Sequence, residues 1–243
     1  MERRQRRGVP VSKHGSMNEG NLASAEGTSA KLNRGERLVV NSPLRVLMQR
    51  MEISWMAKAC PASNLARVLE VGCGRGAGAR LILKAFRPLE FHATDLDMDM
   101  MQKAADYLSF EEKETVHLCA ADLLYLPYPD GSMDALFGFG VLHHILNWRA
   151  ALLEVSRVLR PTALYFIEEI YPSFYQNFVT KRFLFHPTGD RFRSRDLKEA
   201  LRQAGFSLIA AREVKLVGIM AVARKVGCAG VRDSSITLSP AET

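Results

Sequence analysis

The chain has 243 residues, of which 47% are hydrophobic, and its formal net charge is +7. This length suits one globular domain with polar ends, and no apolar run approaches the roughly 18 residues that a transmembrane helix needs. The four cysteines form no Cys-x-x-Cys pair. This spacing argues against a zinc site or a disulfide framework and indicates a reducing compartment, so we expect a cytoplasmic protein that binds no metal.

The first 36 residues are polar, lack hydrophobic periodicity, and carry seven basic and four acidic side chains. A basic segment can contact nucleic acid or an anionic membrane. Low hydrophobicity favours the simpler interpretation, a solvated segment that does not fold. We therefore predict a disordered basic leader over 1–36, a folded domain over 37–225 and a flexible tail over 226–243.

The folded part begins with a helix signal. Ser42 is a capping residue, Pro43 suits the first helical turn, and apolar residues follow at helical spacing as far as Trp55. Beyond this helix, short apolar runs alternate with amphipathic stretches. The pattern predicts strands at 68–71, 91–95, 116–119, 134–139 and 163–167, and helices at 78–86, 98–108 and 148–159.

The end of the domain departs from this alternation. A helix is predicted at 196–204, capped by Ser194, and two strands at 207–212 and 217–223 follow with no helix between them. Alternating strands and helices build a mostly parallel sheet, whereas two strands joined by a short connection must be antiparallel. The sequence thus predicts an α/β fold, a doubly wound, Rossmann-like sheet of seven strands that is mostly parallel and has a terminal antiparallel strand.

A cluster of glycines separates the first predicted strand from the next helix. Gly72, Gly74 and Gly76 follow an apolar strand that ends near Glu70. Glycine lets the backbone approach a ligand closely, and the helix start offers free N–H groups. A buried carboxylate such as Glu70 needs a cation or donors, which a ligand with an ammonium group would supply. The same glycines also fit a relaxed dinucleotide fingerprint, so a nicotinamide cofactor stays open at this point.

An acidic residue ends the second predicted strand. Asp95 lies 21 residues after Gly74, where a carboxylate can accept hydrogen bonds from both ribose hydroxyls of an adenosine. Its alternative role is to cap the helix that follows. Because Asp97 could take that role, the spacing favours the ribose contact.

Several motifs in this order resemble one family. Together they are similar to the class I S-adenosylmethionine (SAM) dependent methyltransferases, and the resemblance covers 42–225. It looks closest to the group that contains the ubiquinone and menaquinone C-methyltransferases and other small-molecule methyltransferases. The matching motifs lie at 70–76, 93–95, 121–130, 133–136, 140–144 and 154–161.

This resemblance implies that SAM is the cofactor and assigns residues to it. In the family, an acid or amide after the third strand contacts the adenine amino group, and the next backbone N–H contacts a ring nitrogen. Asp122 and Leu123 hold these positions here. The dinucleotide fingerprint has no such acid, so Asp122 favours SAM over NAD. The implied cofactor residues are Glu70, Gly72, Cys73, Gly74, Gly76, Asp95, Leu96, Asp122, Leu123, Gly138 and Phe139.

Candidate acceptor residues follow the fourth and fifth strands. His143 and His144 are adjacent, so at most one of them can face a site on a regular element. We predict His143 as the catalytic candidate, with a packing or capping imidazole as the alternative. Glu168 and Glu169 end the fifth strand, where a solvated strand end is favoured over a pair of carboxylates that orients the acceptor.

Aromatic residues are concentrated after the fifth strand, with seven of them at 171–192. Those at 171–178 have helical spacing, which favours packing in the core. The alternative is a lid or an apolar acceptor pocket, to which Tyr171 and Tyr175 would contribute.

Together the motifs predict an enzyme that transfers a methyl group from SAM to a small apolar or aromatic acceptor. In the family, amino-group methyltransferases that act on nucleobases or glutamine carry an Asn-Pro-Pro-Tyr type motif after strand four, and this chain lacks it. A nucleic acid acceptor is therefore disfavoured, and it would also need a continuous basic surface. Two alternatives stay open, a SAM-binding regulatory module without turnover and a nicotinamide-dependent oxidoreductase. The sequence also leaves open a peripheral membrane contact and the oligomeric state.

Overall fold

A computed structural model describes residues 42–62, 65–175 and 191–227. The predicted leader over 1–36, most of the predicted tail over 226–243, and the part of the aromatic stretch at 176–190 lie outside the described residues. The side chain of Tyr175 lies outside them as well. The predictions made for these segments stay predictions.

The described strands form one sheet that confirms the predicted fold class. Its first five strands are parallel, and the last one in sequence pairs antiparallel with both of its neighbours. The strands are β1 Arg67–Val71, β2 Glu90–Asp95, β3 Val116–Ala120, β4 Met133–Phe139, β5 Leu159–Ile170, β6 Phe206–Val214 and β7 Gly218–Lys225. Their order across the sheet is β3-β2-β1-β4-β5-β7-β6.

Helices cover both faces of the sheet. The first begins as the sequence predicts, because the Ser42 hydroxyl accepts a hydrogen bond from the Arg45 N–H at 3.2 Å and Pro43 is the first helical residue. The helices are α1 Pro43–Ala59, α2 Ala77–Phe86, α3 Met98–Tyr107, α4 Phe110–Thr115, α5 Trp148–Val158, α6 Pro172–Tyr175 and α7 Ser194–Gln203.

Two apolar cores fill the space between the sheet and its helices. Successive residues of a strand point to opposite faces, so Val68 and Leu69 belong to different cores. On one face, strand residues pack against α1 and α2, and the rings of Phe137 and Phe166 stack at 4.3 Å. On the other face, strand residues pack against α5 and α7 around the fully buried Trp148. Burial on both faces explains why the central strands are almost wholly apolar.

The fifth strand is longer than predicted. The sequence places a helix end at 160–161 and a strand at 163–167, whereas α5 ends at Val158 and β5 already pairs with β4 at Leu159. The register shifts before the next pair, Ala135 with Leu164, so the exposed Pro161 lies in an irregular part of the strand. Proline is tolerated there because no ladder hydrogen bond is needed from it.

Two local details differ from the sequence prediction. The short helix α4 was not predicted, because none of its residues is buried and it therefore has no apolar period. Ser109 starts it with a capping box that includes Glu112. Ser194 is the first residue of α7 rather than its cap, since the Asp196 carboxylate accepts the hydrogen bond from the Arg193 N–H at 2.9 Å.

Candidate active site

The loop after β1 requires glycine where it lies closest to the turn after β4. Gly72 has a φ of 67°, in the left-handed region that favours glycine. A Cβ on Gly72 would also lie 2.5 Å from Val141 Cγ2, which is closer than carbon atoms approach. Glycine therefore lets the turn after β4 pack directly against the loop after β1.

The rest of this loop is tied to the neighbouring strand. The Cys73 N–H donates to the Thr94 carbonyl oxygen at 2.9 Å, and the Cys73 side chain is buried. The Gly76 N–H donates back to the Cys73 carbonyl oxygen at 2.9 Å, immediately before α2 begins. The loop is thus closed by backbone hydrogen bonds.

The carboxylate of Asp95 also holds the glycine loop. Its Oδ2 accepts a hydrogen bond from the Gly74 N–H at 2.9 Å, and its Oδ1 accepts one from the Asp97 N–H at 2.9 Å. The cap of α3 is Asp97, whose side chain accepts from the Asp99 N–H at 3.1 Å. Asp95 therefore lies beside the loop, and Leu96 connects it to the capping residue.

Glu70 is a buried carboxylate with unmet hydrogen-bonding capacity. The residue is 1% exposed, and Oε2 has no hydrogen-bond partner among the described residues. Burial raises the pKa of Glu70 well above its usual range, the charge of Asp95 raises it further, and Arg45 lowers it. A Cβ on Gly78 would lie 2.0 Å from Glu70 Oε1, so glycine near the start of α2 makes room for this carboxylate. A buried carboxylate in this state needs a donor or a cation.

The loop after β3 brings another acidic side chain to the same edge of the sheet. The Ala121 N–H donates to the Asp95 carbonyl oxygen at 3.1 Å, which joins the ends of β2 and β3. Asp122 Oδ1 accepts from the Leu124 N–H at 3.0 Å, and Leu123 between them is buried. The predicted adenine residues therefore lie next to the predicted ribose residue.

Gly138 and Phe139 end β4 beside the glycine loop. Gly138 pairs with Val71 at the end of β1. Phe139 is 9% exposed, and its ring stacks on that of Phe137 at 6.3 Å. The structure thus brings the predicted cofactor residues together at the carboxyl ends of β1 to β4, the edge at which open α/β sheets bind ligands.

A buried ionic cluster lies at the ends of β4 and β5, and the sequence did not predict it. Arg45 Nη1 donates to both carboxylate oxygens of Glu52, at 2.7 and 2.8 Å, and Nη2 donates to Glu168 Oε2 at 3.1 Å. The side chain of Glu168 is only 13% exposed, and Glu169 is fully buried. The expectation of a solvated strand end at these two residues is therefore wrong, because α1 and the turn after β4 cover it.

Glu169 fixes the turn that follows β4. Its Oε1 accepts hydrogen bonds from the Val141 N–H at 3.0 Å and the Leu142 N–H at 2.7 Å. Its Oε2 lies 2.8 Å from His143 Nδ1. Burial raises the pKa of Glu169 to about 8, and the backbone donors act against this rise. Glu169 thus orients His143, the predicted catalytic candidate.

His143 is a buried imidazole that lies beside a second carboxylate. The residue is 4% exposed, and its ring lies 4.2 Å from that of His144. A Cβ on Gly140 would lie 3.3 Å from His143 Cε1 and 3.7 Å from Glu168 Oε2. The imidazole and this carboxylate therefore flank the same glycine at the end of β4, and a catalytic role for His143 stays a prediction.

Arg191 joins this region from the segment before α7. Its Nη1 donates to the His143 carbonyl oxygen. Its Nε and Nη2 are shielded from solvent and have no hydrogen-bond partner in the part of the chain that the structure describes. No sequence pattern indicates this contact, because the two residues are 48 positions apart.

Tyr171, predicted to contact the acceptor, lies in the core. It is 4% exposed and belongs to the same core as Phe192 and Leu197. Its hydroxyl donates to Glu213 Oε1 at 3.1 Å, and burial raises the pKa of Tyr171 to about 12. This position agrees with the packing alternative, while contacts of Tyr171 and Tyr175 with an acceptor stay predictions.

An open groove lies beside α1, away from the predicted cofactor residues. Its volume is about 520 Å³, and it is lined by Leu47, Arg50, Met51, Ser54, Trp55, Lys58 and Arg212. Within the described ranges, no group of three or more His, Cys, Asp or Glu is placed to hold a metal ion. No helix in those ranges has both the length and the apolar character that crossing a membrane requires.

The fold matches that of known methyltransferases. A SAM-dependent methyltransferase from Aquifex aeolicus superimposes with a TM-score of 0.63 at 18% identity, covering 81% of this chain and 100% of that one. At this identity the match shows a shared fold. Residues 69–167 also match a family model described as a methyltransferase domain.

Curated relatives identify the family. The O-methyltransferase rstn1 of Aspergillus nomiae is 31% identical over 163 residues, which cover 61% of this chain and 68% of that protein. A fatty-acid O-methyltransferase of Mycolicibacterium smegmatis is 34% identical over 108 residues, which cover 44% of this chain and 38% of that protein. The chain belongs to the SAM-dependent methyltransferase family, as its motifs predicted. It spans less than two thirds of the length of most of the curated relatives that it matches.

Proposed function

We propose that the protein transfers the methyl group of SAM to an oxygen atom of a small apolar acceptor. The observation that carries this proposal is the buried Oε2 of Glu70, which has no partner among the described residues and lies beside the glycine loop of a methyltransferase-family chain. NAD has no ammonium group to place there, and its fingerprint has no counterpart of Asp122. The oxidoreductase alternative is therefore disfavoured.

The residues at the strand ends fit SAM. Its ammonium group would supply the donor that Glu70 lacks, and the Asp95 carboxylate would accept hydrogen bonds from the ribose hydroxyls. Asp122 and the Leu123 N–H would contact the adenine, as the family resemblance implies. When bound, SAM supplies a methyl group on a sulfonium, and the sulfur leaves as a neutral thioether.

The chain itself contributes positioning and the exclusion of water. Methyl transfer is an in-line displacement, so the acceptor oxygen must be aligned and desolvated. Phe139 and Val141 present apolar side chains at the end of β4, and Val141 lies against the cofactor loop at Gly72. Helix α1 is anchored to the same edge through the contact of Arg45 with Glu168.

The proton of a hydroxyl acceptor needs a destination, whereas a carboxylate acceptor has none to lose. We assign this proton to the pair formed by His143 and Glu169, which are held 2.8 Å apart at the strand end. A buried imidazole can take up a proton at one ring nitrogen while its Nδ1 stays within hydrogen-bond distance of Glu169. This role extends the catalytic prediction made for His143.

An apolar acceptor suits the helix that covers this edge. Four residues of α1 are between 48% and 67% exposed, so they present apolar surface to a ligand or a lipid surface. The relative named as a fatty-acid O-methyltransferase supports an acceptor of this chemistry. The exposed residues are Leu44, Leu47, Met48 and Met51.

We also propose that the catalytic unit is the predicted domain over 37–225 and that it acts in the cytoplasm. The described cysteines Cys60, Cys73 and Cys119 are free thiols, which suits a reducing compartment. The exposed apolar residues of α1 support a peripheral membrane contact as part of the same proposal.

A turnover assay with the full chain tests the proposal. The protein is incubated with SAM and, separately, with a medium-chain fatty acid, a phenol and a primary alcohol. S-adenosylhomocysteine and the methylated product are both measured by mass spectrometry. We expect the two products to form in equal amounts with at least one acceptor.

The alternatives predict different results from the same samples. A SAM-binding module without turnover would bind SAM in a calorimeter but yield S-adenosylhomocysteine with none of the acceptors. Binding of NAD, with no binding of SAM, would overturn the cofactor assignment.

A further inference from the structure

Arg191 holds its guanidinium in a position that leaves two donors unused. Nη1 donates to the carbonyl oxygen of His143. Nε and Nη2 are shielded from solvent and meet no acceptor among the described residues. A guanidinium keeps its charge in proteins, so a buried edge with two unmet donors is unfavourable unless a ligand supplies acceptors.

Three acidic side chains lie at the ends of β5 and β6, and each has other partners. Glu169 accepts hydrogen bonds from the turn after β4. Glu168 pairs with an arginine of α1, and Glu213 pairs with a lysine of α7 at 2.8 Å. None of these three carboxylates pairs with Arg191 in the described part of the chain, which leaves its edge for an external anion.

Two contacts connect Arg191 with the cofactor loop. Its guanidinium contacts the carbonyl of His143, which belongs to the turn after β4. Val141 in the same turn packs against Gly72 of the glycine loop. Two of the buried groups with unmet hydrogen bonds, the Glu70 carboxylate and the Arg191 guanidinium, thus lie at the same edge of the sheet, one beside the proposed cofactor and one beyond the turn.

We propose that Nε and Nη2 of Arg191 bind a carboxylate group of the methyl acceptor. These nitrogens form one edge of the planar guanidinium, and their parallel N–H bonds match the two oxygens of a carboxylate. The proposal rests on the proposed function and narrows the acceptor to an apolar molecule that carries a carboxylate. With both ligands bound, Glu70 would accept from the ammonium group of the cofactor and Arg191 would donate to the carboxylate of the acceptor.

A carboxylate fits this edge better than a phosphate monoester does. The edge offers two N–H donors and one positive charge. These match in number the two acceptor oxygens and the single negative charge of a carboxylate. A phosphate monoester brings three oxygens and close to two negative charges. One oxygen and most of one charge would remain unmatched at Arg191.

The carboxylate has two chemical uses, as the methylated group or as an anchor for a hydroxyl elsewhere in the acceptor. In the first use its oxygen attacks the methyl carbon, the carbon–sulfur bond breaks, and the product is a methyl ester that alkali hydrolyses. In the second use the hydroxyl oxygen attacks, its proton leaves to the base, and the product is an ether that alkali leaves intact. Products from decanoate and ω-hydroxydecanoate distinguish the two.

Binding, rather than turnover, tests the assignment, so the result does not depend on the proposed reaction. The full chain with excess S-adenosylhomocysteine is titrated with decanoate, decanol or decyl phosphate in a calorimeter. We expect decanoate to bind at least roughly 10-fold more tightly than decanol. We expect Arg191→Gln to weaken decanoate binding by roughly 10- to 100-fold and to leave decanol binding unchanged, because hydrogen bonds to a charged group are lost.

Two further variants separate the fork geometry from charge and folding. Arg191→Lys keeps the positive charge and a donor for the His143 carbonyl but has no planar fork, so decanoate should bind roughly 10-fold less tightly. Arg202→Gln removes an exposed arginine of α7, whose side chain is 71% exposed, and should leave decanoate binding unchanged. Melting curves of all three variants establish that they fold.

The outcomes separate this inference from the proposed function. Absence of decanoate binding, or equal binding by the wild type and both Arg191 variants, would overturn the assignment. Tighter binding of decyl phosphate than of decanoate would show that Arg191 binds a phosphate rather than a carboxylate, and would overturn the proposal. If Arg191→Gln does not fold, Arg191→Lys decides the matter. Decanoate binding as expected, without any methylated product from SAM, would leave the carboxylate site standing and reject the methyl transfer.

Discussion

The two halves of the candidate site are held together by different interactions. In the cofactor half, at the ends of β1 to β3, backbone groups dominate: the N–H groups of Cys73 and Gly74 are bonded to β2 through Thr94 and Asp95. In the acceptor half, at the ends of β4 and β5, charged side chains from distant segments meet. There the Arg45 side chain reaches across 123 positions of sequence to a strand-end carboxylate.

This difference predicts different responses to mutation. A loop closed by its own backbone keeps its shape when one side chain changes, so substitutions there should mainly alter ligand affinity. A buried ionic cluster depends on every member, because removing one leaves a charge or a donor unpaired. Substitutions in the acceptor half should therefore mainly lower stability.

The largest effect is expected from Glu169→Ala in the acceptor half. This change leaves the N–H groups of Val141 and Leu142 without their acceptor and removes the partner of the His143 ring. We expect the free energy of unfolding to fall by about 2–4 kcal/mol, from unmet buried donors and a broken buried pair. Urea denaturation followed by circular dichroism measures it.

Glu199→Ala is the matched control for this prediction. Glu199 pairs with Arg202 on the surface, where their side chains are 48% and 71% exposed, so we expect no measurable change in stability. Glu169→Gln keeps an oxygen acceptor and should fall between the two. Equal stability of Glu169→Ala and Glu199→Ala would show that the carboxylate does not hold the turn.

In the cofactor half, Asp95→Ala should act mainly on binding. Its carboxylate positions the Gly74 N–H and, in the proposed function, accepts hydrogen bonds from ribose hydroxyls. We expect the affinity for SAM and for S-adenosylhomocysteine to fall by about 1–3 kcal/mol, the cost of unpaired ligand hydroxyls. Asp106→Ala, which changes an exposed aspartate of α3, should bind as the wild type does. Isothermal titration that gives equal affinities for all three proteins would remove Asp95 from the cofactor site.

The ionic cluster should also make stability depend on pH. Burial raises the pKa of both Glu168 and Glu169 from 4.5 to about 8. Between pH 4.5 and about 8 the folded protein therefore holds protons that the unfolded chain has released, so stability falls as pH rises through this window. The slope for one such group approaches about 1.4 kcal/mol per pH unit, and it ends above the folded pKa.

Glu169→Gln sharpens this prediction because it removes one of the two titrating carboxylates. Its free energy of unfolding, measured by urea denaturation from pH 5 to pH 8, should decline less steeply than that of the wild type. A wild-type stability that is level or rising across this range would contradict the protonation argued for the cluster.

How much the sequence could predict also differs between the cofactor half and the acceptor half. The fold class and the positions of Gly72, Asp95 and Asp122 depend on short segments, in which an apolar run, a turn residue and a terminal acid are neighbours in the chain. Such patterns fix where a parallel strand ends, and strand ends meet at one edge of the sheet. The sequence therefore predicted that these residues meet at one edge of the sheet, and their contacts with a cofactor stay a prediction.

The acceptor half could not be predicted because its contacts are long-range. Glu168 and Glu169 end a strand, and hydropathy alone favours a solvated position for two adjacent acids. Their burial depends on Arg45 of α1 and on the turn after β4, neither of which is a sequence neighbour. Arg45 and Glu52 lie two turns apart on one helix face. Ion pairs on a helix are expected three or four residues apart, so this spacing of seven did not predict the pair or its third member.

The smallest effects are expected from alanine substitutions at two glycines outside the ionic cluster. Gly74 in the cofactor loop has a φ of 54°, and Gly205 after α7 has a φ of 82°. A Cβ added to either glycine meets no atom within 4 Å. Alanine therefore introduces the same kind of backbone strain at both positions, and each variant should lose about 1 kcal/mol of stability.

Only Gly74→Ala should also weaken SAM binding, because the added Cβ lies where the proposed cofactor approaches the backbone. We expect a loss of roughly tenfold in affinity for this variant, or about 1.4 kcal/mol, and no change for Gly205→Ala. Isothermal titration at a temperature well below both melting points measures the difference. If both variants lost affinity equally, strain acting through stability would explain the result. If neither lost affinity, SAM would not lie against this part of the loop. Glu70 and Asp95 would then stay in the proposed cofactor site, and Gly74 would be removed from it.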